Sequence, residues 1–146
     1  MNIFTALDIN ATGLTAQRQR IEVISSNLAN AGTTRTAEGG PYRRKDLVFE
    51  STPPESSFAS AFNAQLESGV EQGVQVIGIY QDASPFIRKY EPAHPDADVE
   101  GYVTYPNVSP IEEMVNLLSA TRSFEANTQA INAIKEIAAK SVEIGR

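Results

Sequence analysis

Two long segments of this chain carry apolar residues at helical heptad spacing, and this pattern constrains the fold more than any other feature. In residues 3–30, apolar side chains recur every seven residues from Leu7 to Leu28. In residues 110–143, the same spacing begins at Leu117. A helix with an apolar stripe needs a second helix to cover it. We therefore expect these helices to pair with each other or with neighbouring copies, as they do in an assembly protein.

The residues between the two helices predict a different kind of structure. Residues 33–108 contain Gly, Pro and short β-branched runs, which indicate loops and a small β-rich insert. The predicted fold is mainly α, with helical segments at 1–32 and 109–146 packed as a coiled-coil-like hairpin. A hairpin within one chain would satisfy the heptads by itself. We favour assembly, because the insert is too small to anchor two helices of this length.

β-branched and aromatic residues mark short strands in the insert. The predicted strands are residues 47–49, 73–80, 86–90 and 102–105. We expect residues 86–90 to pair with the strongest strand, 73–80. The Pro- and Ser-rich residues 51–57 predict an exposed excursion, and residues 58–67 predict a short helical or irregular piece.

Capping residues predict the bounds of both helices. Ser109 is a favourable N-cap, and Pro110 suits the first helical turn. Glu112 and Glu113 complement the positive end of the helix dipole. The second helix is therefore expected to begin near Pro110. Residues 25–32 are rich in Ser, Asn and Gly, so the first helix is expected to end near residues 29–31.

Composition excludes several classes of protein. The net charge of −6 lacks the basic footprint of a nucleic-acid-binding protein. The chain contains no cysteine, which excludes disulfides and thiolate metal sites.

The first residues lack the basic and apolar regions of a secretory signal peptide, and no apolar run approaches the roughly 20 residues that span a bilayer. Conventional targeting signals alone would predict a cytoplasmic protein.

The sequence contains no recognised catalytic motif, so we expect a protein that is not an enzyme. His94, the only histidine, lies in a Pro-rich acidic loop and is expected to be solvated. The acidic run from Asp96 through Asp98 to Glu100 resembles the start of a calcium loop, but Asn107 occupies the position of the bidentate glutamate. A solvated acidic turn leading into a strand is favoured. We predict no catalytic, cofactor or metal site and no small-molecule substrate.

A short basic run, Arg43, Arg44 and Lys45, is the one cluster of positive charge in the first half of the insert. It suits either an anion or an acidic partner. Because residues 51–100 carry eight acidic and two basic residues, a salt bridge to the acidic middle of a neighbouring copy is our prediction. A solvated strand edge is the simpler alternative.

Four asparagines lie close to helix ends or within an apolar stripe: Asn27, Asn30, Asn107 and Asn127. Such amides cap helix ends, or they set register, because a buried amide disfavours misaligned packing. Three of these asparagines, Asn27, Asn30 and Asn127, are expected at the assembly interface together with apolar residues of the two stripes. The residues expected at the assembly interface are Ile3, Leu7, Leu14, Ile21, Ile24, Asn27, Leu28, Asn30, Met114, Leu117, Leu118, Phe124, Asn127, Ile131, Ile134 and Ala138.

Three segments resemble the flagellar basal-body rod proteins, most closely those of the proximal-rod type. Residues 26–33, Ser-Asn-Leu-Ala-Asn-Ala-Gly-Thr, are similar to the family's N-terminal signature. Residues 38–46 resemble the segment that follows it. Residues 101–127 are similar to the C-terminal helix and its approach. Gly32 stands where the signature commonly has asparagine, and residues 51–90 carry little of the resemblance.

The resemblance implies a structural subunit of the rod that transmits motor torque to the hook and filament. It implies export through the flagellar type III apparatus without a cleaved signal peptide, and a periplasmic location in the basal body. Expected partners are copies of this chain, other proximal and distal rod proteins, the adaptor at the rod base and the export apparatus. The helices are expected to order on assembly into a helical tube. A soluble coiled-coil adaptor or a type III secreted effector is the alternative.

Overall fold

A computed structural model describes residues 3–52 and 72–144 of the chain. In the sequence of these described residues, four strands lie between two long helices. The elements are α1 (Ile3–Ala29), β1 (Lys45–Thr52), β2 (Gly73–Gln81), β3 (Ile87–Tyr90), β4 (Tyr102–Tyr105) and α2 (Pro110–Ile144). The predicted arrangement of two terminal helices around a small β-rich insert is therefore confirmed. Within the described residues, neither helix has an apolar stretch long enough to cross a membrane.

The helix ends follow the capping residues. α1 ends at Ala29, and a turn follows in which the backbone amide of Asn30 donates to the Ser26 and Asn27 carbonyl oxygens. At the start of α2, the Ser109 carbonyl oxygen accepts from the backbone amide of Glu113 at 3.0 Å. The Ser109 hydroxyl accepts a weaker hydrogen bond from the backbone amide of Glu112 at 3.5 Å. Both predicted helix bounds are confirmed.

The strands form two separate two-stranded sheets, β1 with β2 and β3 with β4. The prediction that residues 86–90 pair with residues 73–80 is wrong. β3 instead pairs antiparallel with β4, with Ile87 opposite Tyr105 and Tyr90 opposite Tyr102. The reason lies in the connecting loop, which turns tightly enough to bring β4 back onto β3.

β1 is longer than predicted, and it takes in Ser51 and Thr52 from the expected excursion. The remainder of that excursion and the predicted piece at 58–67 lie outside the described residues.

The chain divides into two compact units. The first unit comprises Met1–Gln19, Phe49–Ile77 and Ala120–Arg146. In it the two helices approach closely at Gly13, where an added Cβ would lie 3.0 Å from Nδ2 of Asn127. Ala16 and Ala120 are buried in this unit, so its helix contact is built on small residues.

The second unit comprises Arg20–Val48 and Gly78–Ser119. Its apolar core contains Ile24, Leu47, Val103 and Val108, all buried. The core therefore draws on the end of α1, β1, β4 and the approach to α2. The largest fully buried side chains of this unit also include two polar ones, Asn27 and Glu113, each 1% exposed.

Candidate functional site

The second unit is built around Asn27, whose side chain uses all of its hydrogen-bonding capacity. Its Nδ2 group donates to the Lys45 carbonyl oxygen at 2.8 Å and to Oε2 of Glu113 at 3.1 Å. Its Oδ1 accepts from the Tyr42 hydroxyl at 3.0 Å and from the Lys45 backbone amide at 2.9 Å. Because a side-chain amide offers two donors and two acceptor lone pairs, Asn27 is saturated. One buried amide thus connects α1, the start of β1 and α2.

Asn27, Tyr42, Arg44 and Glu113 form a buried polar junction. Glu113 is its second centre, and Arg44 neutralises the Glu113 carboxylate. Nε of Arg44 donates to Oε1 of Glu113 at 2.8 Å, and Nη1 donates to Asp46 at 3.2 Å. Burial alone lowers the pKa of Arg44, but the hydrogen bond and charge of Glu113, helped by Asp46, raise it above its usual value. A buried carboxylate is tolerated only when it is paired and hydrogen-bonded, and Glu113 satisfies both conditions.

A further layer of backbone contacts holds Arg44 in place. The Arg44 amide donates to Oδ1 of Asn107 at 3.0 Å, and its carbonyl oxygen accepts from the Asp82 amide at 2.8 Å. Arg43 donates to the Asp82 carbonyl oxygen and stacks over the Phe86 ring, 4.3 Å from its centroid. The hydroxyl and amide of Ser84 lower the pKa of the Asp82 carboxyl.

The chemistry of the junction suits a structural role. Its core, Asn27, Tyr42, Arg44 and Glu113, is paired internally, and its carboxylate is already neutralised by a guanidinium. A buried, fully satisfied polar network fixes one arrangement of the elements that it joins, because misalignment would leave its members unpaired. It therefore sets the register of α1 against α2 in the second unit.

The acidic loop between β3 and β4 is stabilised by its own carboxylates. Oδ1 of Asp98 accepts from the amides of Tyr102 at 2.8 Å and Glu100 at 3.0 Å, and Oδ2 pairs with Arg88 at 2.8 Å. These contacts, led by the Tyr102 amide, lower the pKa of Asp98. Gly101 adopts a positive φ of 83°, which favours glycine. The prediction of an acidic turn leading into a strand is confirmed.

The remaining acidic and imidazole groups of this loop also face protein partners. Asp96 accepts from the Thr34 hydroxyl at 2.7 Å, and its own amide donates to Nδ1 of His94. Glu91 accepts from the Tyr105 hydroxyl and pairs with Lys89, and these bonds lower the pKa of Glu91. Among residues 3–52 and 72–144, no cluster of three or more acidic or histidine side chains is arranged to hold a metal ion.

The structure divides the predicted interface residues into three groups by exposure. Ile24 and Asn27 are buried, and most of the stripe is half-buried within the chain. The half-buried members are Leu7, Leu14, Ile21, Leu28, Asn30, Leu117, Phe124, Asn127, Ile131, Ile134 and Ala138. Ile3, Met114 and Leu118 are exposed. The assembly role of all these residues stays a prediction, and the exposed members are the ones available to a partner without rearrangement.

The basic run has partners inside the second unit. Arg44 contacts Glu113 and Asp46, and Nζ of Lys45 lies 5.6 Å from the centroid of the Tyr42 ring. Arg43 reaches the Asp82 carbonyl oxygen. These contacts make Arg44 a member of the junction, whereas a salt bridge from this run to a neighbouring copy stays a prediction.

Sequence reasoning assigned Glu113 to the helix dipole and missed its place in the junction. The available signal was heptad position, because Glu113 lies seven residues before Ala120, which is wholly buried on the same stripe. Tyr42 lies in a segment whose sequence indicates only a loop. No local pattern marks it as the donor to an amide 15 residues earlier in the chain.

Two family models match the parts of the chain that form the helices. Residues 7–35 match the model described as flagella basal body rod protein, and residues 99–144 match the flagellar basal body rod FlgEFG protein C-terminal model. The junction joins these two matched segments, since Asn27 lies in the first and Glu113 in the second. These matches give the class of both helical segments as flagellar basal-body rod proteins.

Curated relatives are similar to this chain over nearly its whole length. The Bacillus subtilis flagellar basal-body rod protein FlgC is 47% identical, covering 100% of both chains. The FlgC protein of Borreliella burgdorferi is 46% identical over 94% of this chain and 93% of its own. That of Escherichia coli O157:H7 is 39% identical over 100% of this chain and 98% of its own. The chain belongs to the FlgC family of flagellar basal-body rod proteins.

Proposed function

We propose that this chain polymerises through α1 and α2 into the proximal rod of the flagellum, the drive shaft that carries motor torque to the hook and filament. It is a structural subunit of the basal-body rod and not an enzyme, and its relatives are named flagellar basal-body rod proteins. The observation that carries the proposal is the junction. Within the second unit, it joins the end of the first matched segment to the start of the second helix, which belongs to the other matched segment.

The mechanism that we propose is resistance to twist. A shaft transmits torque only if its subunits do not shear, and packed helices with satisfied polar contacts deform little. The buried Asn27 and Glu113 pair resists sliding of α2 along α1 in the second unit. Contacts from the apolar stripe to neighbouring subunits would extend this rigidity along the helical tube.

The route to the assembled rod is also part of the proposal. We propose export through the flagellar type III apparatus without a cleaved signal, and incorporation into the periplasmic part of the basal body. Partners are further copies, the other proximal and distal rod proteins, and the adaptor at the rod base. The family resemblance and the FlgC relatives support this route.

Deletion of the gene, followed by complementation, tests the proposed function. Cells without this chain are expected to form membrane rings but no complete rod, hook or filament, and to be non-motile. Complementation with a tagged chain is expected to restore swimming and to place the tag in purified basal bodies. A tag that restores swimming yet stays outside basal bodies would instead support a soluble adaptor.

A further inference from the structure

An exposed apolar ridge runs along the first turns of α2 in the second unit. Ile111, Met114, Val115 and Leu118 follow the i, i+3, i+4, i+7 spacing of a single helix face. Their exposed fractions are 76%, 57%, 63% and 54%. Together they form a patch on the order of 400 Å², a size at which exposed apolar patches on monomers are often functional.

The ridge is distinct from the face of α2 that packs inside the chain. Glu113 and Ala120, on the other face, are 1% and 0% exposed. The early part of α2 therefore has one face that is buried within the chain and one apolar face that is exposed. A soluble monomer gains nothing from the uncovered face, since such a patch favours association.

The first unit contains an uncharged groove that is lined by apolar and neutral polar side chains. Its floor and walls come from α1 and β2, and its volume is about 420 Å³. The lining residues are Ala11, Thr12, Thr15, Ala16, Gln19, Val74, Gln75 and Val76. None of them is charged. Because the side chains on α1 are small, they leave space in the groove for the larger side chains of another helix.

We propose that the ridge of one copy seats in the groove of a second copy, an inference that rests on the proposed rod function. The occupant is another copy because the chain itself supplies both halves of the contact. The uncharged groove would exclude a charged peptide by desolvation but accepts an aliphatic ridge. Ridge and groove are different surfaces, so the contact is heterologous and can repeat without closing, as a helical assembly requires.

The size of the contact also suits a subunit that must be exported before it assembles. A patch on the order of 400 Å² is about half of the surface that each partner contributes to a stable, specific complex. One contact alone is therefore weak, and isolated copies remain apart. Within a lattice, the other subunit contacts raise the effective concentration and make the same contact persistent.

Because the chain contains no cysteine, disulfide trapping tests this contact without background. Met114→Cys and epitope-tagged Thr15→Cys are coexpressed in cells that lack the natural chain, and basal bodies are purified and oxidised. Mixed dimers, which have an intermediate mass because of the tag, can arise only between copies. Ser25→Cys, exposed on α1 outside the groove, replaces Thr15→Cys in the matched control.

The expected result is a mixed Met114→Cys with Thr15→Cys dimer, at a yield at least tenfold above the Ser25→Cys control. Dimers of Met114→Cys with itself in place of the mixed dimer would overturn the proposal in favour of a symmetric contact. A yield equal to the control, with both variants present in basal bodies, would also overturn it while leaving the rod function intact. In a separate strain, the natural chain, which has no cysteine, is the reference. If neither the two variants nor the natural chain were present in basal bodies, the rod function itself would be contradicted.

Discussion

Nδ2 of Asn27 donates to Oε2 of Glu113 at 3.1 Å, a hydrogen bond that joins residues 86 positions apart. Asn27 lies near the end of α1 and Glu113 lies in the first turn of α2, and both side chains are buried. The bond therefore connects the end of α1 to the start of α2 within the second unit. Its chemistry leads to a direct prediction about stability.

Glu113→Ala is expected to destabilise the second unit by about 3 kcal/mol, because it leaves the Arg44 charge and one Asn27 donor without their buried partner. Urea unfolding of the isolated protein measures this change. All five tyrosines lie in the second unit, so tyrosine near-ultraviolet circular dichroism reports on that unit selectively.

Glu112→Ala is the matched control for Glu113→Ala. Glu112 is adjacent, exposed and equally close to the positive end of the helix dipole. We expect its loss to change the free energy of unfolding by less than about 1 kcal/mol. Equal effects of the two substitutions would show that the dipole, and not the junction, accounts for the role of Glu113.

The close approach of α1 and α2 in the first unit predicts coupling between Gly13 and Asn127. Alanine is favoured over glycine within a helix by about 1 kcal/mol. At Gly13, however, its Cβ would lie 3.0 Å from Nδ2 of Asn127. Gly13→Ala alone is therefore expected to leave stability almost unchanged, whereas in an Asn127→Ala background it should recover the full gain.

Thermal release of the subunit from purified basal bodies measures this coupling between Gly13 and Asn127. The four chains of the double-mutant cycle are compared by the temperature at which half of the subunit has dissociated. The same increase from Gly13→Ala in both backgrounds would contradict the proposed contact.

The loop between β3 and β4 is expected to lose stability in acid. Because contacts of the folded loop lower the pKa of Asp98, its contribution is complete above its ordinary pKa of about 3.9. That contribution is lost as the pH falls through the lowered, folded-state pKa. The Tyr102 amide resonance, followed by NMR from about pH 6 to about pH 2, should report this loss.

Asp98→Asn provides the control for the acid response. Asparagine retains an oxygen that can accept from the Tyr102 and Glu100 amides, but it does not titrate in this range. Its Tyr102 resonance should therefore lack the Asp98 titration step. If that step persisted in the variant, a different group, such as Glu91, would control the loop.

Local patterns predicted the helices well because capping and heptad spacing act over a few residues. Ser109 and Pro110 marked the start of α2, and the β-branched run from Gly73 marked β2. Strand pairing was predicted incorrectly because it depends on how the intervening loop turns. That turn is set by Asp98 accepting two backbone amides, which neither composition nor periodicity reveals.

The candidate site was only partly accessible to sequence reasoning, for a similar reason. Asn27 was expected to set the register of helix packing, because a buried amide on an apolar stripe disfavours misaligned helices. Its partners came from β1 and α2, at separations of 18 and 86 residues. Glu113 had an adequate local explanation as a helix-dipole residue, and this concealed its long-range role.

The two units are expected to differ in folding order. The second unit has the saturated junction, so its backbone amides in 20–48 and 78–119 should be protected from hydrogen exchange in the isolated protein. Amides of 3–19 and 120–144 should exchange quickly until the subunit is incorporated into basal bodies. Equal protection of both sets in the isolated protein would contradict folding on assembly.

The central claim is that the apolar stripes of α1 and α2 build the rod. The most direct measurement is the amount of subunit in purified basal bodies from cells complemented with Leu14→Asp or Ile131→Asp. We predict that both variants are exported but absent from basal bodies, that the cells do not swim, and that Gln129→Asp on the exposed face of α2 behaves normally. Normal incorporation and swimming with either stripe variant would contradict the account.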